Sequence, residues 1–147
     1  MSEQQTSDQQ RRARRAALWI LYGMDVSSTL SPKAMHQSRP TVADFDPEVE
    51  TFWPLLAERV EGVLEHFDAL GEEIQRVSPR WKVDRMAAVD RNILRLGAWE
   101  LLHGDVPPII VINACVELAK EYGDKNTPAF INGLLDQFCK NHGISID

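Results

Sequence analysis

The most regular hydrophobic pattern in the chain lies in residues 86–103, MAAVDRNILRLGAWELLH. Apolar residues recur there at steps of three and four, which is typical of a helix. One row consists of Met86, Val89, Ile93 and Leu96, and a second of Ala87, Leu94, Ala98, Leu101 and Leu102. Because little of the circumference is polar, other helices must surround this one. We therefore predict an all-α bundle around a central helix that is capped by Asp84 and ends before Gly104.

The first helix should begin at Ser7 or Asp8 and continue to about Asp25. At roughly 100° per residue, one face collects small and apolar side chains that should be buried. These are Ala13, Ala16, Ala17, Ile20, Leu21 and Met24. The opposite half carries four arginines, and farther along it carries one leucine and two aromatic residues. This outward side therefore consists of Arg11, Arg12, Arg14, Arg15, Leu18, Trp19 and Tyr22.

The remaining pattern predicts one domain, 1–147, with irregular segments at three places. Residues 1–7 should be a disordered tail, residues 26–46 a long loop marked by proline turn signals, and residues 141–147 a loose tail. Helices are predicted over 47–67, 66–77 and 106–122, with Gly123 as a C-cap, and from Thr127 onward. Pro54 either lies in the first turn of its helix or kinks it, and the pattern does not choose between them.

Composition and charge limit the functional classes. The chain is 44% hydrophobic and 26% charged, as in an ordinary soluble protein, and it lacks an apolar run of about 18 residues. The polar N-terminus does not read as a signal peptide, so we expect a cytoplasmic protein without a membrane partner. Cys115 and Cys139 read as reduced core residues. Since the net charge is −6, contact with nucleic acid must come from a local patch.

Candidate catalytic chemistry is sparse. The histidines are scattered and have no metal-ligand spacing: His36, His66, His103 and His142. The glycines stand singly, without a phosphate-binding loop. We predict no metal, no cofactor and no enzymatic activity.

The arginine cluster of the first helix allows two interpretations. The four side chains could form a solvated first turn paired with nearby carboxylates. Two features favour an anionic partner instead. Arginine stands at all four positions, which suits bidentate phosphate contacts. Cations near a helix N-terminus also oppose the helix dipole, so local stability does not explain them.

The turn DKNTP and the helix after it form a second candidate site. Phe130 reads either as a core-edge aromatic or as a ring that stacks on an unpaired base, with Lys125 and Asn126 nearby. Gly133 inside a helix is unfavourable and predicts close approach of another helix or of a ligand backbone. In the central helix, Asp90 reads as an exposed surface acid, and its other polar residues read as structural.

Four segments, in order and over nearly the whole chain, resemble the NusB transcription antitermination factor family. They are RRARRAALWILYGMD, VDRNILRLGAWEL, DVPPIIVINACVELAKEYG and FINGLLD. The resemblance implies a seven-helix all-α fold of two subdomains. It also implies binding to the boxA element of nascent ribosomal RNA transcripts together with NusE, a small-subunit ribosomal protein, within a transcription elongation complex.

The matched positions imply roles for individual residues. The arginine-rich helix implies phosphate contacts, with one extra basic position, and FINGLLD places an aromatic against RNA beside the preceding turn. The predicted RNA-binding residues are Arg11, Arg12, Arg14, Arg15, Lys125, Asn126 and Phe130. Tyr22 and Asp90 match positions that face NusE, and the outward side of the first helix extends this surface. The predicted NusE-binding residues are Leu18, Trp19, Tyr22 and Asp90.

Two functional hypotheses remain open at this point. The first is a non-enzymatic RNA-binding adaptor that recruits NusE. The second is a self-associating structural protein of the same fold, in which a homodimer buries the same surface and RNA binding is weak or masked. An exposed aromatic patch is compatible with either partner.

Overall fold

The computed structural model describes residues 3–146, with side chains from Ser7 onward. Within that range the chain forms eight α-helices and no strand, which confirms the all-α class. Two compact units divide the chain, Met1–Glu65 and His66–Asp147. No helix in the described range is long and apolar enough to span a bilayer.

The first unit is organised around its N-terminal helix. Its elements are α1 (Glu3–Val26), α2 (Pro32–Gln37), α3 (Arg39–Phe45), a 3₁₀ turn (Val49–Thr51) and α4 (Trp53–Glu65). Helix α1 packs against α4 and also against α2. The six side chains predicted for its inner face are all buried, so that prediction is confirmed.

Two predictions for this unit are wrong. Residues 32–45 are helical rather than a loop, because the prolines taken as turn signals lie in the first turns of α2 and α3. The Ser31 hydroxyl caps α2 by accepting the N–H of Ala34 at 3.1 Å. Residues 3–7 are helical rather than disordered, while Met1 and Ser2 lie outside the described residues.

The second unit surrounds the helix predicted as central. Its elements are α5 (Phe67–Val77), a 3₁₀ turn (Val83–Arg85), α6 (Ala88–His103), α7 (Pro108–Tyr122) and α8 (Thr127–Asn141). Helix α6 contacts α5, α7 and α8, and every residue from Asn92 to Leu101 is buried. Gly97 permits the close packing, since a Cβ there would lie 2.8 Å from Cys115 Sγ and 3.1 Å from Leu135 Cδ1. The prediction of a surrounded central helix is confirmed within this unit.

The ends of the helices differ in detail from prediction. Asp84 lies in the 3₁₀ turn, and Ala87, which precedes α6, offers no side-chain cap. Pro54 is the second residue of α4, so the first-turn alternative is correct. Arg95 stacks on Phe67, with its guanidinium carbon 3.7 Å from the ring centroid.

The C-terminal segment is anchored where a loose tail was predicted. His142 Nε2 lies 3.0 Å from Glu73 Oε2, and its ring lies 4.4 Å from that of Phe138. The Ile144 N–H donates to the Cys139 carbonyl at 2.9 Å. Asp147 lies outside the described residues.

Candidate nucleic-acid interface

Of the four arginines in the α1 cluster, Arg11 has the most exposed side chain. Its side chain is 64% exposed and its Nη2 lies 2.6 Å from Asp8 Oδ1, one turn earlier. An ion pair this exposed is weak, because both charges remain hydrated. Another anion can therefore replace Asp8 at this guanidinium at little cost.

Arg12 is held by carboxylates of its own unit. Its Nε donates to Asp46 Oδ2 at 2.9 Å, a second bond joins the same carboxylate, and Glu48 lies on the other side. The guanidinium also lies 5.5 Å from the centroid of the Phe52 ring. The hydrogen bond from Arg12 is the main reason that the pKa of Asp46 is lowered, and the Asp46 and Glu48 bonds raise the pKa of Arg12. Arg12 therefore links α1 to the segment after α3.

The outward orientation predicted for all four arginines is wrong for Arg14. Its side chain is only 4% exposed, and Arg15 is half-buried. Helix α1 contacts α4 and α2, so more than one face is covered. The long aliphatic part of an arginine can be buried in such packing. Direct contact of Arg14 with a phosphate would require the side chain to move.

The predicted aromatic side of α1 is partly corrected. Leu18 is buried, so its outward orientation is wrong. Tyr22 is 41% exposed, and the half-buried Trp19 packs on Phe45 with 5.7 Å between ring centroids. Phe45, from α3, is strongly exposed itself. The exposed apolar patch of this unit therefore contains Trp19, Tyr22 and Phe45.

The start of α8 presents the second predicted site. Lys125 and Asn126 are exposed, and the Asn126 N–H donates to Asp124 Oδ1 at 2.8 Å, which fixes the turn. Phe130 follows one turn later and is half-buried. It lines a surface groove of about 370 Å³, opposite the segment between α5 and α6. The structure thus places Phe130 in the lining of this groove.

Asp90 is half-buried rather than an exposed surface acid. The Thr127 hydroxyl donates to Asp90 Oδ1 at 3.3 Å, which links α6 to the start of α8. Burial raises the pKa of Asp90, the Thr127 hydrogen bond opposes this, and the charge of Asp124 raises it further. Contact of Asp90 with NusE stays a prediction.

Two exposed aromatic residues were missed by the sequence reasoning. Phe45 lay within the predicted loop. Trp81 is 60% exposed and stands in the string RWKVDR, where cations flank an aromatic ring. That interleaving is a pattern found in single-strand nucleic-acid sites and was available from the sequence.

Known proteins match this chain over most of its length. A model of the NusB family matches residues 11–140. The transcription antitermination protein NusB of Anaeromyxobacter dehalogenans strain 2CP-1 is 43% identical over 126 residues, which cover 86% of this chain and 87% of the relative.

Solved structures agree with the sequence match. NusB of T. maritima superposes with a TM-score of 0.78 at 27% identity, covering 89% of this chain and 90% of that chain. A chain from a crystal structure of the antitermination factors NusB and NusE in complex with double-stranded RNA has a TM-score of 0.77 at 25% identity. That match covers 91% of this chain and 98% of the other. The chain therefore belongs to the NusB family of non-enzymatic, RNA-binding transcription antitermination factors.

Proposed function

We propose that this protein binds the boxA element of ribosomal RNA transcripts together with NusE, and acts within a cytoplasmic transcription elongation complex. The family supports a role in antitermination, and a solved relative is described with both NusE and RNA. The observation that carries the RNA part of the proposal is the Arg11 side chain, which is 64% exposed and pairs with the exposed carboxylate of Asp8.

The RNA strand binds at α1 when its phosphates replace carboxylates at the arginine side chains. A phosphate replaces Asp8 at Arg11 and Glu48 at Arg12, whose other edge stays on Asp46. The buried Arg14 contributes through packing, and Arg15 through its positive charge close to the strand. Lys125 and Asn126 add polar contacts, and Phe130 stacks on a base.

NusE binds the exposed aromatic patch of α1 and α3. Tyr22 and Trp19 supply amphipathic surface, which is enriched at protein interfaces, and Phe45 extends it. Asp90 supplies a carboxylate that accepts hydrogen bonds from NusE. Leu18 does not take part, because it is buried inside the unit.

The RNA role is tested with Arg11→Glu and a matched control, Lys140→Glu. Lys140 is 66% exposed and pairs with Asp136 one turn away at 3.2 Å, so both variants reverse one exposed, paired cation. Fluorescence anisotropy with a labelled boxA RNA should show at least about fivefold weaker binding for Arg11→Glu alone. Equal affinities for the two variants would refute the assignment of α1 to RNA.

The NusE role is tested with Tyr22→Ala and, as control, Ile109→Ala, which removes a similarly exposed side chain from α7. Titration calorimetry with NusE should show loss of affinity for Tyr22→Ala only. Analytical sedimentation distinguishes NusE binding from the alternative, in which this patch forms a homodimer. A homodimer that Tyr22→Ala dissociates, combined with no binding to NusE, would support self-association instead.

A further inference from the structure

The groove beside Phe130 has walls from two separate segments of the second unit. One wall is the segment between α5 and α6, and the other is the first half of α8. The lining residues include Ser78, Arg80, Trp81, Phe130, Gly133 and Leu134. Its volume of about 370 Å³ falls in the lower part of the roughly 300–1,000 Å³ range of small-molecule sites. It is therefore of the size that admits one planar ring system.

Trp81 is held at the groove by a fixed backbone. The Trp81 carbonyl accepts hydrogen bonds from Gln75 Nε2 at 3.1 Å and from Ser78 Oγ at 3.3 Å. Gln75 also accepts the Val83 N–H at 3.0 Å. These hydrogen bonds fix the backbone at Trp81 and at Val83 to the end of α5. An indole displayed from an ordered backbone is preorganised for a partner, because little ordering remains to be done on binding.

The same segment is strongly cationic in an acidic protein. Residues 76–85 carry four cationic side chains and a single carboxylate, a net charge of +3 within a chain of −6. All four cations are exposed: Arg76, Arg80, Lys82 and Arg85. A basic segment with an exposed ring at its centre is complementary to a single nucleic-acid strand, in which every nucleotide carries one phosphate and one base.

Gly133 keeps one side of the groove open. A Cβ at this position would meet no neighbouring atom within 4 Å, although the residue lies inside α8 one turn after Phe130. The close approach of another helix predicted for Gly133 is therefore absent from the described chain. Helix stability does not explain a glycine here, but space for a ligand does.

From these four observations we infer that the groove binds one base of the RNA strand, stacked between Trp81 and Phe130, with the adjoining phosphates on Arg80 and Lys82. This inference rests on the proposed RNA-binding function and adds a second contact region to it.

Trp81→Ala tests the stacking. Base–aromatic stacking corresponds to a loss of about 5-fold to 150-fold in affinity for a labelled boxA RNA. Trp81→Phe should retain most of the affinity, and the control Ile110→Ala, which shortens a half-exposed side chain on α7, should retain all of it. In a series of RNAs with one abasic nucleotide each, one position should remove the Trp81→Ala penalty, because the base that stacks is then missing.

Gly133→Leu tests the groove with a variant that does not depend on weakening the fold. The Cβ of the added side chain meets no neighbour within 4 Å and leucine improves helix propensity, so the melting temperature should not fall, yet RNA binding should weaken at least fivefold because the rest of the side chain occupies the groove. Gly23→Leu is the control, since a Cβ at Gly23 on α1 also meets nothing within 4 Å.

The outcomes separate this inference from the proposed function. A wild-type protein that does not bind boxA RNA would overturn both. A wild-type protein that binds, with unchanged affinity in Trp81→Ala and Gly133→Leu, would overturn only the groove. Weakened NusE binding with intact RNA binding in Trp81→Ala would make the groove a protein-binding surface and would also overturn the inference.

Discussion

Asp46 and Glu48 contact the same guanidinium but should differ in their importance for stability. The Asp46 side chain is 14% exposed and makes two bonds to Arg12, whereas the Glu48 side chain is 65% exposed. Asp46→Asn and Glu48→Gln each remove one negative charge beside Arg12 with little change of shape. They therefore form a matched pair in which burial is the main difference.

The expected magnitudes follow from that difference. A charge-assisted hydrogen bond contributes roughly 1.5–3 kcal/mol, and asparagine retains one acceptor, so Asp46→Asn should lower the free energy of unfolding by about 2–3 kcal/mol. For a chain of this length that corresponds to a fall of roughly 4–12 °C in melting temperature. Glu48→Gln should cost less than about 1 kcal/mol, because an exposed ion pair is screened by water.

The stability assay is thermal unfolding followed by circular dichroism at several pH values. The bond to Arg12 lowers the pKa of Asp46 in the folded protein, so its contribution is complete above the unfolded carboxyl pKa of about 3.9. The contribution is lost as the pH falls through the lower folded value. The gap between the wild type and Asp46→Asn should therefore be constant near neutral pH and should shrink in acid.

RNA binding gives the second readout of the pair. Both variants remove a negative charge close to the proposed phosphate position, so each should bind boxA RNA about 2-fold to 5-fold more tightly despite their unequal stabilities. Equal melting temperatures for the two variants would refute the structural role of the Asp46 pair. Weaker RNA binding in both would show that the carboxylates orient Arg12 for RNA rather than compete with it.

Three further predictions concern the second unit. Gly97→Ala should lower the free energy of unfolding by about 1–3 kcal/mol in denaturant titrations, because its Cβ would lie 2.8 Å from the buried Cys115 Sγ; adding Cys115→Ala should recover part of the loss. Gly133→Ala should instead raise the free energy of unfolding by up to about 1 kcal/mol, and a loss would show that the position is crowded. Asp90→Asn should raise the melting temperature at pH 7, since burial raises the pKa of Asp90 and penalises its charged form, while asparagine can still accept from Thr127. That gain should vanish below about pH 4, where the carboxyl is neutral in both states, and a gain independent of pH would contradict the electrostatic explanation.

The long helices were predictable because their hydrophobic period repeats several times. Helix α6 shows nearly three turns of buried residues, most of them apolar, and such a helix requires neighbours whatever the fold. Helices α2 and α3, of six and seven residues, contain too few turns for a period to appear. Their prolines were consistent with a turn or with a helix start, and only the backbone decides between these.

The orientation of individual side chains on α1 was less predictable. A helical projection assumes one buried face, whereas α1 is packed by α4 and by α2, which explains why Arg14 and Leu18 are enclosed. The pairing of Arg12 with Asp46 spans 34 positions and depends on where α3 ends. The groove at Trp81 likewise requires the start of α8 to lie beside a segment about 50 residues earlier in the sequence. Local patterns contain no information about such pairs.

The carboxylates that already occupy the arginines of α1 have a consequence for the ionic-strength dependence of binding. RNA releases condensed cations when its phosphates are neutralised, and this release makes binding steeply salt-dependent. In the proposed complex Arg11 and Arg12 each leave an aspartate or glutamate behind, and that freed carboxylate attracts a cation from solution. Part of the released counterion population is thereby taken up again, so affinity should decline more gently with added salt than the number of arginines implies. Such a protein keeps its affinity for RNA over a wider range of cellular ion concentrations.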